Sequence, residues 1–139
     1  MIEDLKKDLD KISNHEKAMT CKRFFKTGPG EYGEGDRFIG ATMPEMRIIA
    51  KRYADMPIDQ AMELLDSGVH EHRMTGLIML VNKFLKSAGD RQRIYELYLS
   101  KTSRINNWDL VDVTCHHIVG KFLMDKDRSV LYKLARSKS

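Results

Sequence analysis

Apolar residues return at helical spacing in one stretch after another along these 139 residues, and that periodicity limits the fold more than any single side chain. Ile2, Leu5, Leu9 and Ile12 open the pattern, and Met46, Ile49, Ala50 and Tyr53 repeat it. Met74, Leu77, Ile78, Val81, Phe84 and Leu85 line one side of its longest stretch. No stretch offers a strand, and glycine and proline are sparse outside one loop. The expectation is an all-α chain.

Local signals bound the individual helices. Ser13 with Glu16 is a capping-box pattern, which predicts a second helix running through Phe24 and Phe25 and paired antiparallel with the first. Pro44 in a first turn, with Thr42 and Glu45 placed to cap, predicts a third. Ile58 to Leu65 makes a short helix that Gly68 stops. Ser87 to Asp90 ends the longest helix and caps the next, whose inward residues are Ile94, Leu97 and Tyr98. Asp125 to Asp127 reads as a turn, after which Val130, Leu131 and Leu134 begin another apolar stripe. The resulting architecture is one helical domain, residues 1–139, of stacked antiparallel helix pairs. Its spacing is close to the two-helix unit of a HEAT-like α-α superhelix, a solenoid whose concave surface suits a long partner. Solenoids normally finish on a polar cap. The uncovered stripe before ARSKS therefore predicts a chain truncated at its carboxyl end, the front part of a longer protein, able to self-associate through that end.

Charge and cysteines narrow the partners. Residues 101–139 hold eight Lys and Arg against four Asp and Glu, so the whole formal net charge of +4 lies there. A polyanionic partner would explain this, and so would a solvated, Lys-rich surface. Cys21 and Cys115 are far apart and outside any CxxC spacing, which fits a reducing cytoplasm and points to no zinc ribbon. The opening MIEDLKKDLDKI is acidic and amphipathic where a signal peptide is basic and then apolar. No apolar run approaches the ~20 residues of a membrane span, so a cytoplasmic protein without a membrane partner is expected.

Most candidate sites fall away on spacing. Gly28 to Gly33 is a literal GxGxxG, but a helix precedes it and Glu31, Glu34 and Asp36 would repel phosphate. His70 with His72 and His116 with His117 lack the i, i+4 pairing of a zinc protease, so no metal and no cofactor are expected. Arg47 and Lys51, one turn apart, suit phosphate contact or an ordinary exposed helix face.

One helix departs from simple packing. Asn106 to Phe122 reads NNWDLVDVTCHHIVGKF, and winding it at about 100° per residue puts Val111, Cys115, Ile118, Val119 and Phe122 on one apolar arc with Trp108 at its edge. Asp112 falls on the same arc, one turn after Trp108, where a carboxylate is costly unless something pairs with it or uses it. Asp109 projects with His116 and Gly120 on the polar side, as a first-turn charge behind an Asn106 or Asn107 cap. A core aromatic beside a charge capping a neighbouring helix is the plainer account of the Trp108 and Asp112 pair.

Three segments together resemble the AlkD-type DNA alkylation repair proteins: FFKTGPGEYGEGDRFIGATMPEMRIIAKRY at 24–53, EHRMTGLIMLVNKF at 71–84, and INNWDLVDVTCHHIVGKFL at 105–123. The resemblance implies a right-handed superhelix of HEAT-like repeats whose concave face holds duplex DNA. It also implies a glycosylase that excises cationic N-alkylated purines such as 3-methyladenine and 7-methylguanine. Asp112 matches the family's catalytic aspartate and Trp108 its tryptophan one turn earlier. The carboxylate would stabilise the sugar cation, and the indole would face the sugar and the cationic base. Expected DNA-binding residues are Thr42, Arg47, Lys51, Lys101 and Arg104. The family's arginine and second tryptophan lie on later helices, Arg136 does not align with that arginine, and the isolated chain is expected to be a poor catalyst. A non-catalytic DNA-binding module and a helical scaffold for a protein partner are the alternatives.

Overall fold

The computed structural model describes residues 1–137 except Tyr32, Asp125 and Asp127. It is organised around α5 (His70–Lys86), in which every residue from His70 to Val81 is buried. The sequence predicts one apolar side for this helix, yet it is enclosed on all sides, as a helix central to a small core must be. Leu85, expected to face inward, is instead 43% exposed because beyond Val81 only the Phe84 side of the helix stays covered.

Around α5 pack α1 (Ile2–Lys11) through Leu5 and Leu9, and α3 (Met43–Arg52) through Met46, Ile49 and Ala50. The short α4 (Ile58–Glu63) runs into a 3-10 turn, Leu64–Asp66, and buries Ile58, Ala61, Met62, Leu64 and Leu65. Gly76 lets α4 come close, since a Cβ there would stand 2.8 Å from the Ala61 carbonyl oxygen. On the other side lie α6 (Arg91–Ser100), inward through Ile94 and Tyr98, and α7 (Trp108–Cys115). A π turn, His116–Gly120, carries α7 into the short α8 (Lys121–Leu123), and α9 (Ser129–Arg136) follows with no buried residue. The turn expected at Asp125 to Asp127 lies outside the described residues at both its ends.

The caps follow the sequence closely at α3 and less so at α2. Thr42 and Glu45 form a complete capping box, with Pro44 in the first turn. At α2 (His15–Phe24) the cap is Asn14, not Ser13, because Asn14 is the extended residue whose Oδ1 accepts from Lys17 N–H at 3.0 Å. The glycine loop between α2 and α3 returns to the core at Gly40, whose φ of +86° and tight approach to the Asn14 carbonyl exclude a side chain. Glu71 of α5 holds this loop by accepting from Gly40 N–H at 2.7 Å and Ile39 N–H at 3.1 Å. Among the described residues no strand forms, and a single bridge joins Arg37 to Val69. No helix among them is long and apolar enough to cross a membrane.

Candidate nucleic-acid interface around the Trp108 helix

The face that α7 buries is not the arc drawn from an ideal helix. Leu110 and Thr114 point inward, Thr114 hydroxyl-bonded to Tyr98 at 2.9 Å, and Ile118, Val119 and Leu123 continue the buried side. Val111 is exposed instead of buried, and so is Asp112. Two causes combine. The π turn inserts an extra residue per turn after Cys115, so positions on either side of it no longer share one wheel. The Tyr98 contact then selects the Leu110 and Thr114 side for the core. Trp108 is 48% exposed and lies on the solvent face with Asp112, one turn away. No hydrogen bond or ion pair among the described residues engages the Asp112 carboxylate.

Asp109 has a larger part than a first-turn charge. One carboxylate oxygen caps Leu110 N–H at 2.8 Å, while the other accepts from Nε2 of the buried His70, also at 2.8 Å. His70 Nδ1 stands 3.5 Å from Asp36, which is paired at 2.7 Å with the guanidinium of Arg73, 1% exposed. Arg73 also donates to Asn106 Oδ1 at 3.2 Å and to the Ser67 carbonyl at 3.1 Å. Burial alone would lower the His70 pKa, but its bond to Asp109 and its approach to Asp36 outweigh that and hold it above the ordinary value. Burial likewise pushes the Asp36 carboxyl up, and the nearby His70 imidazole and the bonded Arg73 guanidinium bring it below the usual carboxylate value. Asn107 occupies the N-cap position without a side-chain capping bond, and Asn106 serves Arg73 instead.

An aromatic wall adjoins this network. Phe25 stacks on Phe38 at 5.5 Å between centroids, and His70 stacks on Phe38 at 4.7 Å and on Phe25 at 5.4 Å. Trp108 rests against Phe24 at 6.0 Å and Phe25 at 5.6 Å. Phe25, Phe38 and His70, with Cys21, Met43, Thr42 and Asp109, line a cavity of about 500 Å³; Trp108 borders a different one, with Tyr98, Asn107 and Val111.

Asp112 lines a separate, smaller cavity of about 290 Å³ with Arg47, Asn82, His116 and His117. Burial lowers the His117 pKa, helped by His116, Lys121 and Arg47, so this imidazole is held neutral in a positive field. Lys51, Lys83 and Lys86 line an adjoining groove beside Asn82. The structure therefore brings Arg47 to the cavity of Asp112, with Lys51 in the neighbouring one across Asn82. Lys101 and Arg104 stand elsewhere, at the amino end of α5, and have internal partners. Lys101 pairs with Asp66 at 2.7 Å, and the Arg104 guanidinium bonds the carbonyls of Leu65, Asp66 and Ser67 at 3.0–3.3 Å. Thr42 Oγ1 is engaged in its capping box. Among the described residues no three His, Cys, Asp or Glu side chains cluster as metal ligands would, and His72 Nδ1 bonds the Ser67 hydroxyl at 2.8 Å.

Spacing alone singles out Trp108 and Asp112, but it misses His70, Asp36 and Arg73. Their partners come from separate segments, and the available hint was the ionisable run His70 to Arg73 opening the longest apolar helix. No curated protein and no solved structure matches the chain. A family model described as DNA alkylation repair enzyme matches residues 5–139. With nearly its whole length matched, the chain belongs to the DNA alkylation repair enzyme family.

Proposed function

We propose that the chain carries the Trp108 and Asp112 pair of a DNA glycosylase that releases cationic N-alkylated purines, 3-methyladenine and 7-methylguanine among them, from duplex DNA laid along a HEAT-like superhelix, these 139 residues alone being a slow catalyst. The observation that carries the reading is Asp112, exposed and unpartnered among the described residues, one turn from the half-exposed indole of Trp108. An alkylated purine already bears positive charge, so it leaves as a neutral base without protonation. The bond that breaks is the one between C1′ and the base nitrogen, and the pair of electrons departs with the base. Charge then develops on the sugar, where a fixed carboxylate stabilises it and orients the water that attacks C1′. That water's proton passes to the carboxylate or to solvent. The indole presents its electron-rich face to the same cation. Arg47 and Lys51 would bind phosphates on the flank.

Asp112→Asn tests the mechanism in single-turnover release of 7-methylguanine from methylated duplex DNA, with protein in excess so that slow release is still read. Loss of one such electrostatic group should reduce the rate on the order of 100-fold or more while DNA affinity persists. Full activity in the variant would remove Asp112 from the mechanism. Arg47 beside Asp112, and Lys51 and Lys86 in the neighbouring groove that shares Asn82, also favour a second reading, DNA binding without chemistry. Salt-sensitive binding with no base release from the wild-type chain would select it.

A further inference from the structure

The helix that carries Trp108 and Asp112 is joined to the core on both sides of the indole. Asp109, immediately after Trp108, accepts from His70 at 2.8 Å, and Asn106, two residues before it, accepts from Arg73 at 3.2 Å. Both donors are buried and lie on the same face of α5, three residues apart. His70 is in addition part of the stack with Phe25 and Phe38, and Phe25 is one of the two rings against Trp108. A single imidazole thus touches the carboxylate that follows the indole in sequence and the aromatic wall that supports its ring. The charged and titratable groups around it are Asp36 from the glycine loop, Asp109 from α7 and Arg73 on its own helix, with Cys21 and Glu71 across the same cavity.

We propose that His70 is a positioning residue for base release: by holding Asp109 and the Phe25 and Phe38 stack it sets where Trp108 and, one turn on, Asp112 face the DNA. The proposal rests on the glycosylase reading of that pair, but its geometric half can be tested without any reaction. The arrangement goes beyond stability because Trp108 is half-exposed and leans on only Phe24 and Phe25 among the aromatic rings of the described residues. Loosening the wall or the first turn of α7 therefore moves the indole before it unfolds the core.

Trp108 is the only tryptophan in the chain, so its emission and its quenching by acrylamide report this one ring. The comparison is between wild type, His70→Leu, His70→Gln and Asp109→Asn, each checked for folding by far-UV circular dichroism. His70→Leu and Asp109→Asn should shift the emission and raise the quenching, while His70→Gln, which keeps a donor, stays nearer wild type. A displacement of about 1 Å at a reacting group costs up to roughly 100-fold, so single-turnover base release should fall about 10- to 100-fold with DNA affinity within about twofold. Folded variants with wild-type emission, quenching and release would overturn the proposal. If His70→Leu does not fold, Asp109→Asn decides in the same way. Shifted emission in a chain whose wild type releases no base would leave the positioning of the indole standing and sink the glycosylase reading instead.

Discussion

Replacing Arg73 by methionine should be among the most damaging single changes in this protein. The guanidinium is 1% exposed and stands 2.7 Å from the buried Asp36 carboxylate. Methionine fills similar volume but leaves that charge with only His70 Nδ1, at 3.5 Å. Removing one partner of a buried ion pair costs about 3–5 kcal/mol, since the remaining charge stays desolvated. Because His70, whose pKa is held above the ordinary value, still faces Asp36 and offsets part of this, the lower end, about 3 kcal/mol, is the expected loss. The carbonyl of Ser67, which keeps Arg104, and the side chain of Asn106 also lose a donor, but both residues reach solvent and add little. A domain of this size has a total stability on the order of 5–15 kcal/mol, so the variant should remain folded with a much reduced margin. Urea unfolding followed by far-UV circular dichroism gives the measurement, with the midpoint falling and the slope unchanged. Asp36→Asn in the Arg73→Met background removes the stranded charge and should restore about 2 kcal/mol, a coupling that a double-mutant cycle reads directly. A loss below about 1 kcal/mol in the single variant, or strictly additive losses in the double, would refute the idea that this pair is electrostatically interdependent.

Further expectations concern pH, DNA and backbone. The Asp36 pKa lies below the ordinary value of 3.8, so its contribution to stability is present above 3.8 and lost as pH falls through the lower folded value. The His70 pKa lies above 6.5, so its contribution is full below 6.5 and lost as pH rises through the higher folded value. Asp109→Asn should therefore shrink the decline on the alkaline side while leaving the acid side largely unchanged, as read by urea midpoints across pH. In fluorescence-anisotropy titrations against salt, Arg47→Ala should lower the slope of log affinity by about 1, the loss of one phosphate contact. Lys101→Ala should leave that slope unchanged, because Asp66 holds the ammonium at 2.7 Å; an equal drop in both variants would contradict the assignment. Gly40→Ala should destabilise by about 1–3 kcal/mol in thermal unfolding, since alanine must adopt a positive φ and press its Cβ on Asn14 and Ala18. Wild-type stability there would show that the loop yields easily.

Local physics determined much of this molecule from the sequence alone. Apolar spacing located the helices, and Thr42, Pro44 and Glu45 marked the start of α3 because a cap satisfies its own first-turn donors within four residues. The proximity of Trp108 and Asp112 was equally legible, since residues four apart share a helix face wherever that face turns. Which way it turns was not. Periodicity placed Asp112 on the buried arc, whereas the π turn after Cys115 and the Tyr98 to Thr114 contact put Leu110 inward and Asp112 in solvent. Asp109 looked incidental until α5, thirty-nine positions away, supplied His70. Lys101 and Arg104 looked like free cations until the turn before α5 supplied Asp66 and three carbonyls. Helix formation and capping depend on neighbours a turn away, which a sequence displays in order. Burial, pairing and the rotation of a helix depend on groups that only the folded chain brings within bonding distance.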